Sequence, residues 1–574
     1  MLVGAFTEVV SLGTVLPFLG ILTAPERVFS QPVVARIAQT IGINSADQLV
    51  LPVTIAFATA ALIAGALRLL LLWASTRITY ACGADLSIDV YRRTLYQPYP
   101  VHVARNSSEV ISGITNKINI AAGVLMWLLT LVNSFVLMFS IMFALLVIDP
   151  VTASLAALGF GASYALITRL ARCRLERNSR RIAHEQTQVV KALQEGLGGI
   201  RDVLLDGTQE SYCDIYRRAD LPLRRAAGNN AVISQSPRYA MEALGMVLIA
   251  GLAYGLSAHA GGMAAALPVL GALALGAQRL LPALQQGYNA WANIVGNHGV
   301  LSDAISLLDQ PLPPELLQAA PAPQPFQKAI RLDAVRFRYG TDCPWVLDGL
   351  NLTIPKGARV GFVGSTGSGK STTLDLLMGL LVPTEGALLV DGQPIIGTRI
   401  RAWQQTVAHV PQSIYLADSS LTENIAFGVP RDAIDLERVR QAAHQAHIAE
   451  FIESQPHGYS AFVGERGIRL SGGQRQRIGI ARALYKQTSV LVFDEATSAL
   501  DNATEQSVMG AIEELSRDLT ILLAAHRLTT VRSCDLIVQL ENGRVVAQGT
   551  YEQLLKSSPS FQQMAVHLKT ACVA

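Results

Sequence analysis

Apolar residues are distributed along this chain in two regimes. Before about residue 300 they form long runs, near Leu2 to Leu22, Leu51 to Trp73, Ala121 to Ile148, Val151 to Leu170, Met241 to Leu256 and Met263 to Leu284. Each run approaches the roughly 20 helical residues that cross a hydrocarbon core of about 30 Å, so six membrane spans are predicted. The stretches 77–119 and 172–239 are polar with a helical apolar period, which predicts helices continuing out of the membrane. Between the first two runs, 32–41 places Val33, Val34, Ile37 and Ile41 on one face and predicts a short amphipathic helix. It either caps the spans or meets a lipid substrate. Later in the chain the apolar blocks are short and end in polar residues, as in Val490 to Phe493 before Asp494 and Glu495, the pattern of buried strands.

Charge orients the spans. The segment from Arg169 to Arg238 is dense in arginine, whereas the links at Asp149-Pro150 and His259 to Gly262 carry no arginine or lysine. Basic loops stay cytoplasmic, so both long polar segments lie inside. The first run lacks a basic leader, contains Glu8 and Pro17, and reads as a retained span rather than a cleaved signal.

A chain of 574 residues exceeds a single core, and 50% hydrophobic with only 16% charged residues points to a membrane-embedded half. The net charge of +3, without an aromatic-interleaved basic stripe, argues against nucleic acid as a partner. Six cysteines with no C-x-x-C pair point to neither a metal site nor a disulfide framework. A Pro-rich connector at 310–327 divides a helical membrane domain, 1–309, from an α/β domain, 328–574.

The chemistry lies in the second domain. Gly364, Ser365, Thr366, Gly367, Ser368, Gly369, Lys370 and Ser371, followed by Thr372, form a phosphate loop whose backbone amides wrap phosphates. Lys370 and the Ser371 hydroxyl serve phosphate and Mg²⁺. Ser471, Gly472, Gly473 and Gln474, placed before a helix, expose a second set of amides at the positive end of a helix dipole. One domain therefore has two phosphate grips. Only the first carries a lysine, so the second is expected to reach a nucleotide on another subunit. Asp494 suits Mg²⁺ through water, and Glu495 is placed to orient and deprotonate an attacking water.

From Lys328 to the C-terminus these motifs resemble the ATP-binding cassette (ABC) transporters, P-loop NTPases in which an LSGGQ loop closes over ATP held by the partner. The resemblance implies an ATPase using ATP and Mg²⁺, with Tyr339 stacking on adenine and Gln412 reaching Mg²⁺ and water. It further implies a subunit contact at Ser498, Ala499, Leu500 and Asp501, and contact of His526 with the γ-phosphate. The fused arrangement is similar to type IV half-transporter exporters, which work as dimers. A homodimer is expected, with a heterodimer open. Coupling helices that dock on the cassettes fall near Pro98 to Arg105 and Thr208 to Arg218. The family's elbow helix before the first span is missing, so the start at Met1 is expected to be late.

Arg68, Arg238 and Arg279 lie near one depth at the inner ends of the second, fifth and sixth spans. Around a cavity they would suit a phosphate or diphosphate, because a guanidinium forks onto phosphate oxygens. Alternatively each snorkels to the interface or pairs with an acid such as Glu242. Short segments around Thr7 to Phe18, Ser236 to Gly245 and Ala277 to Pro282 look like bacterial flippases of the cytoplasmic membrane that move polyprenyl-diphosphate-linked oligosaccharides, in which arginines at matching places line the cavity. A general lipid or multidrug exporter is the alternative within the class, and an ATP-gated channel or regulator the alternative outside it.

Overall fold

The computed structural model describes residues 50–148, 150–257, 280–313, 321–495, 509–510, 512–525 and 527–571. The expected first span, the amphipathic 32–41 segment, Arg279, the Ser498 to Asp501 segment and His526 lie outside the described residues. The chain divides into two compact units: the residues up to Gln97 with Arg105–Pro311, and Pro98–Ala104 with Leu312 onward.

The first unit is helical. Helix α1, Val50–Leu95, runs unbroken for 46 residues, so the run beginning at Leu51 continues well past Trp73. After a turn come α2, Tyr99–Ala104, which belongs to the second unit, and α3, Ser107–Ser112. Helix α3 passes through a π turn, Gly113–Lys117, into α4, Ile118–Ile148. Within the π turn Lys117 is buried, and its Nζ donates to Asp303 Oδ2 at 2.6 Å. Helix α5, Pro150–Gly198, is 49 residues long and holds the apolar run Val151 to Leu170 in its first turns.

The expected coupling helix at Thr208 to Arg218 is corrected by the structure. The separate short helix is α6, Ile200–Leu205, and Thr208 is the N-cap of the 27-residue α7, Gln209–Gln235. Gly207, at φ +65, makes the turn between them, a left-handed conformation that a Cβ disfavours. Helix α8, Pro237–Ser257, follows, then α9 over 280–296 and α10, His298–Leu308. Among the described residues two helical stretches are long and apolar enough to cross a membrane, Val50–Leu95 and Ser107–Phe143. Their apolar windows are only 6% and 17% buried, so most of that surface faces outward and calls for a non-aqueous solvent.

Polar side chains fasten the break between α9 and α10. Asn178 Nδ2 of α5 donates to Asn230 Oδ1 of α7 at 2.8 Å, and Asn230 Nδ2 donates to the Gly296 carbonyl at 3.2 Å. The Gly299 amide donates to Ser179 Oγ at 2.7 Å.

The second unit is α/β. Its larger sheet has the order β10-β9-β3-β8-β7-β6, with β3 (Arg359–Val363), β6 (Val407–Val410), β7 (Val490–Asp494), β8 (Thr520–Ala524) and β9 (Leu536–Glu541) all parallel. Strand β10, Arg544–Gly549, closes it antiparallel. A four-stranded antiparallel sheet contains β1 (Ala329–Phe337), β2 (Leu347–Pro355), β4 (Glu385–Val390) and β5 (Gln393–Pro394). All five residues of β3 and of β8 are buried, as strands covered on both faces require. Ligands of open parallel sheets bind outside the carboxyl ends of the strands, and here the phosphate loop follows β3 and the acid pair lies at the end of β7.

Candidate functional site

Strand β3 ends at Val363, and the phosphate loop carries the chain into α11, Lys370–Leu377. Gly369 stands at φ +101, and a Cβ there would come within 2.6 Å of a Leu347 methyl carbon, so glycine is required at this turn. Lys370 is 4% exposed, and its Nζ donates to the carbonyls of Gly364 at 3.0 Å and Ser365 at 3.2 Å. Burial lowers its pKa, opposed by the charges of Glu495 and Asp494. The ammonium is thus kept inside the loop by carbonyls that an anion can replace.

Strand β7 delivers the acids. Ser371 Oγ donates to Asp494 Oδ1 at 3.3 Å, which brings together a hydroxyl and a carboxylate from separate motifs. Glu495 takes a left-handed backbone, φ +50, and its amide donates to the Ala524 carbonyl at 3.1 Å. That bond ties the acid pair to the end of β8. Gln412 is exposed, two residues beyond the end of β6.

Tyr339 is 53% exposed, packs edge-on against Phe337 at 5.0 Å, and has its hydroxyl 3.4 Å from Thr372 Oγ1 of α11. Its ring is held beside the phosphate loop with much of its surface open, a platform suited to stacking.

The second grip is a helix start. Ser471 is the N-cap of α12, Gly472–Tyr485: its Oγ accepts from the Gln474 amide at 3.2 Å, while Gln474 Oε1 accepts from the Ser471 amide at 2.8 Å. Gln474 therefore acts as a helix-capping residue. The first-turn amides of Gly472 and Gly473 are without intrahelical acceptors, as at any helix start.

Three residues that motif reading passes over belong to this neighbourhood. Tyr99 of α2 has its phenol pushed upward, first by burial and then by Asp375, Tyr339 and Asp494. Asp375 of α11 is raised to about 6 by burial and by Asp494. Arg482, lowered to about 10 by burial, donates to the carbonyls of Asn424 at 2.9 Å and Tyr415 at 3.0 Å, staking down the segment after Gln412. For Asp375 and Arg482 the available signal is a charge on the buried side of a helix; for Tyr99 there is none in the local sequence.

In the first unit, a cavity of about 400 Å³ is lined by Arg238, Tyr239, Gln235, Gln285, Gln286 and Asn289 among others. Arg238 Nε donates to Glu242 Oε1 at 2.9 Å, so the pairing alternative from the sequence is realised while the side chain stays 61% exposed. Arg68 is exposed on α1 and does not line this cavity.

Comparison with known proteins supplies the context. The family profile described as ABC transporter transmembrane region matches residues 14–262, and that described as ABC transporter matches 347–498. The ATP-dependent lipid A-core flippase of Chromohalobacter salexigens is 34% identical over 389 residues, 68% of this chain and 66% of that protein. The heterocyst differentiation ATP-binding protein HepA of Nostoc sp. is 30% identical over 561 residues, 96% of this chain and 89% of its own length. The solved structure of a bacterial Atm1-family ABC exporter with ATP bound superposes with a TM-score of 0.80 at 26% identity, covering 99% of this chain and 97% of that one. With the phosphate loop, the acid pair and the capped LSGGQ helix in one α/β unit, the chain belongs to the ABC transporters, as an exporter-type ATPase whose transmembrane region and ATP-binding cassette are fused.

Proposed function

We propose that the chain is an ATP-driven flippase that moves a polyprenyl-diphosphate-linked oligosaccharide, or a related anionic glycolipid, from the inner to the outer leaflet of a bacterial cytoplasmic membrane. The observation that carries this reading is the cavity at Arg238, where one guanidinium stands among amide and phenol side chains. Such a lining suits a cargo whose head is both anionic and rich in hydroxyls. Arg68 and Arg279 are proposed to extend it. The lipid A-core named for the relatives is the second reading, since it too is a lipid bearing phosphate and sugar.

The cassette is assigned the power stroke. Tyr339 stacks the adenine, the loop Gly364 to Thr372 holds the phosphates, and Lys370 neutralises their charge. The oxygen donors Ser371 and Asp494, already 3.3 Å apart, fit Mg²⁺, with Gln412 proposed as a further oxygen donor. Bound there, the ion supplies charge neutralisation at the β- and γ-phosphates. Glu495 takes the proton of the attacking water, and His526 contacts the γ-phosphate. Ser471, Gly472 and Gly473, aligned by the Gln474 cap, close on a nucleotide held by a second copy, with Ser498 to Asp501 at the contact. A homodimer gives two such composite sites, and ATP favours the closed pair by binding it better. The α6 corner, with Leu204 and Leu205 at 60% and 77% exposure, is an apolar tip suited to docking in that assembly.

Reconstitution in liposomes tests the reading. Polyprenyl-diphosphate saccharides should stimulate ATP turnover and be flipped, and Arg238→Ala should weaken both. Stimulation only by neutral lipids or drugs would refute it, and stimulation only by lipid A-core would select the second reading.

A further inference from the structure

A second cavity, of about 470 Å³, lies between α5 and the α9–α10 break and shares no lining residue with the cavity at Arg238. Its walls are of two kinds. Arg172, Arg180 and His298 supply cationic or proton-donating groups, and Trp291, Ile294 and Val295 supply an apolar surface. Arg172 is engaged by Glu176, whose Oε1 accepts from Arg172 Nε at 2.9 Å. Among the described residues Arg180 and His298 make no hydrogen bond or ion pair; both act electrostatically on the lining carboxylate Glu176, which Arg172 already engages, so one acid faces two guanidiniums and the lining keeps a net positive charge.

The place of this cavity along α5 decides what it can meet. The apolar run of α5 ends at Leu170, and Arg172 comes two residues later, at the inner edge of the membrane. Arg180 follows eight residues on, which is about 12 Å along a helix axis. Side chains on a helix tilt toward its N-terminus, and for α5 that is back toward the bilayer. A tryptophan at this level is the residue type that favours the lipid headgroup zone. The base of the cavity is built closely. Ser179 is 1% exposed and accepts from the Gly299 amide, and a Cβ on Gly299 would meet the Ser179 carbonyl oxygen at 3.1 Å.

We propose that this cavity seats the headgroup of an anionic phospholipid of the inner leaflet, with its phosphate on Arg180 and Arg172 and its glycerol and first methylenes against Trp291, Ile294 and Val295. A small soluble anion leaves the apolar wall unused, and a neutral amphiphile leaves the net positive charge of the lining unmet. Juxtamembrane basic groups attract anionic lipid in this way. The occupant braces α5 against the first residues of α10, so it stabilises the fastened form of the helix break. This site is separate from the cargo cavity and does not depend on the cargo assignment.

Native mass spectrometry of the full chain, equilibrated in detergent with phosphatidylglycerol or with phosphatidylcholine, tests the proposal. Phosphatidylglycerol should be retained in preference, and Arg180→Gln should reduce that retention by about tenfold, the scale of one charge-assisted contact. Trp291→Ala should reduce retention of both lipids, whereas Arg224→Gln, which alters an exposed pair with Asp220 on α7, should reduce neither. Equal retention of the two lipids, or an Arg180→Gln protein that keeps phosphatidylglycerol as well as the parent, would overturn the assignment. So would displacement of the lipid by millimolar inorganic phosphate, which would mark a soluble-anion site. Loss of the lipid through Arg238→Ala but not Arg180→Gln would place it in the cargo cavity and equally overturn the proposal.

Discussion

The nucleotide site and the cavity at Arg238 handle charge in opposite ways. In the cassette Lys370 is buried under two carbonyls, Asp494 meets Ser371, and Ser471 and Gln474 cap each other. In the membrane unit Arg238 is mostly exposed and pairs with Glu242, four residues along its own helix. Phosphoryl transfer needs groups fixed before the substrate arrives, because catalysis there is mainly positioning and electrostatics. A cavity that must release what it binds is better served by a guanidinium whose local partner can be exchanged.

That contrast can be broken experimentally, starting where the effect is largest. Glu495→Gln and Lys370→Ala should each lower steady-state ATP turnover by about 10² or more, measured on the reconstituted full chain, because the first removes the proposed base for the attacking water and the second the proposed cation for the phosphates. If either variant hydrolyses ATP at near the parent rate, the fixed-site account of the cassette fails. Arg238→Ala should weaken half-saturation by an anionic glycolipid by about tenfold, read from cargo-stimulated turnover. A loss as large as that of Glu495→Gln would mean that the two regions do not differ in kind.

Loss of the Ser471 hydroxyl should cost about 1 kcal/mol of local helix stability, since N-cap removal has that scale. Hydrogen exchange of the Gly473 to Gln476 amides should report it. Unchanged protection in Ser471→Ala would show that the Gln474 side of the capping box suffices.

The smallest effect concerns pH. Asp375 has a folded value raised to about 6, so its contribution is full below the unfolded value of 3.8 and disappears as pH rises through about 6. His409 is depressed to about 4 by burial, so its contribution is full above 6.5 and is lost as pH falls toward 4. The two oppose each other between pH 4 and 6. Asp375→Asn should therefore steepen the fall in melting temperature from pH 6.5 to 4.5, and equal slopes in variant and parent would remove Asp375 from the account.

Legibility followed the same division. The phosphate loop, the LSGGQ helix start and the acid pair were readable because each places its working groups within a few consecutive residues. What could not be read depends on contacts between distant segments. Tyr99 meets the Asp375 and Asp494 neighbourhood only because α2 joins the cassette unit, and Arg482 reaches Tyr415 across 67 positions. Helical period indicated long helices over 172–239, but the corner was misplaced: Gly207 makes the turn, and the residues after Thr208 continue the helix. Arg68, Arg238 and Arg279 shared a depth by counting, yet depth along a span does not fix the direction in which a side chain points. Of the described pair, only Arg238 lines the cavity.

The π turn at Gly113–Lys117 has a mechanical meaning for the helix that contains it. An i→i+5 turn accommodates one residue more than an α turn, so it offsets the angular phase of the two flanking segments by about 100°. Converting that turn to α geometry would twist Ser107–Ser112 about its axis relative to Ile118–Ile148 without requiring either segment to unwind. The bond from buried Lys117 to Asp303 locks the present phase, much as a pawl holds a toothed wheel at one position.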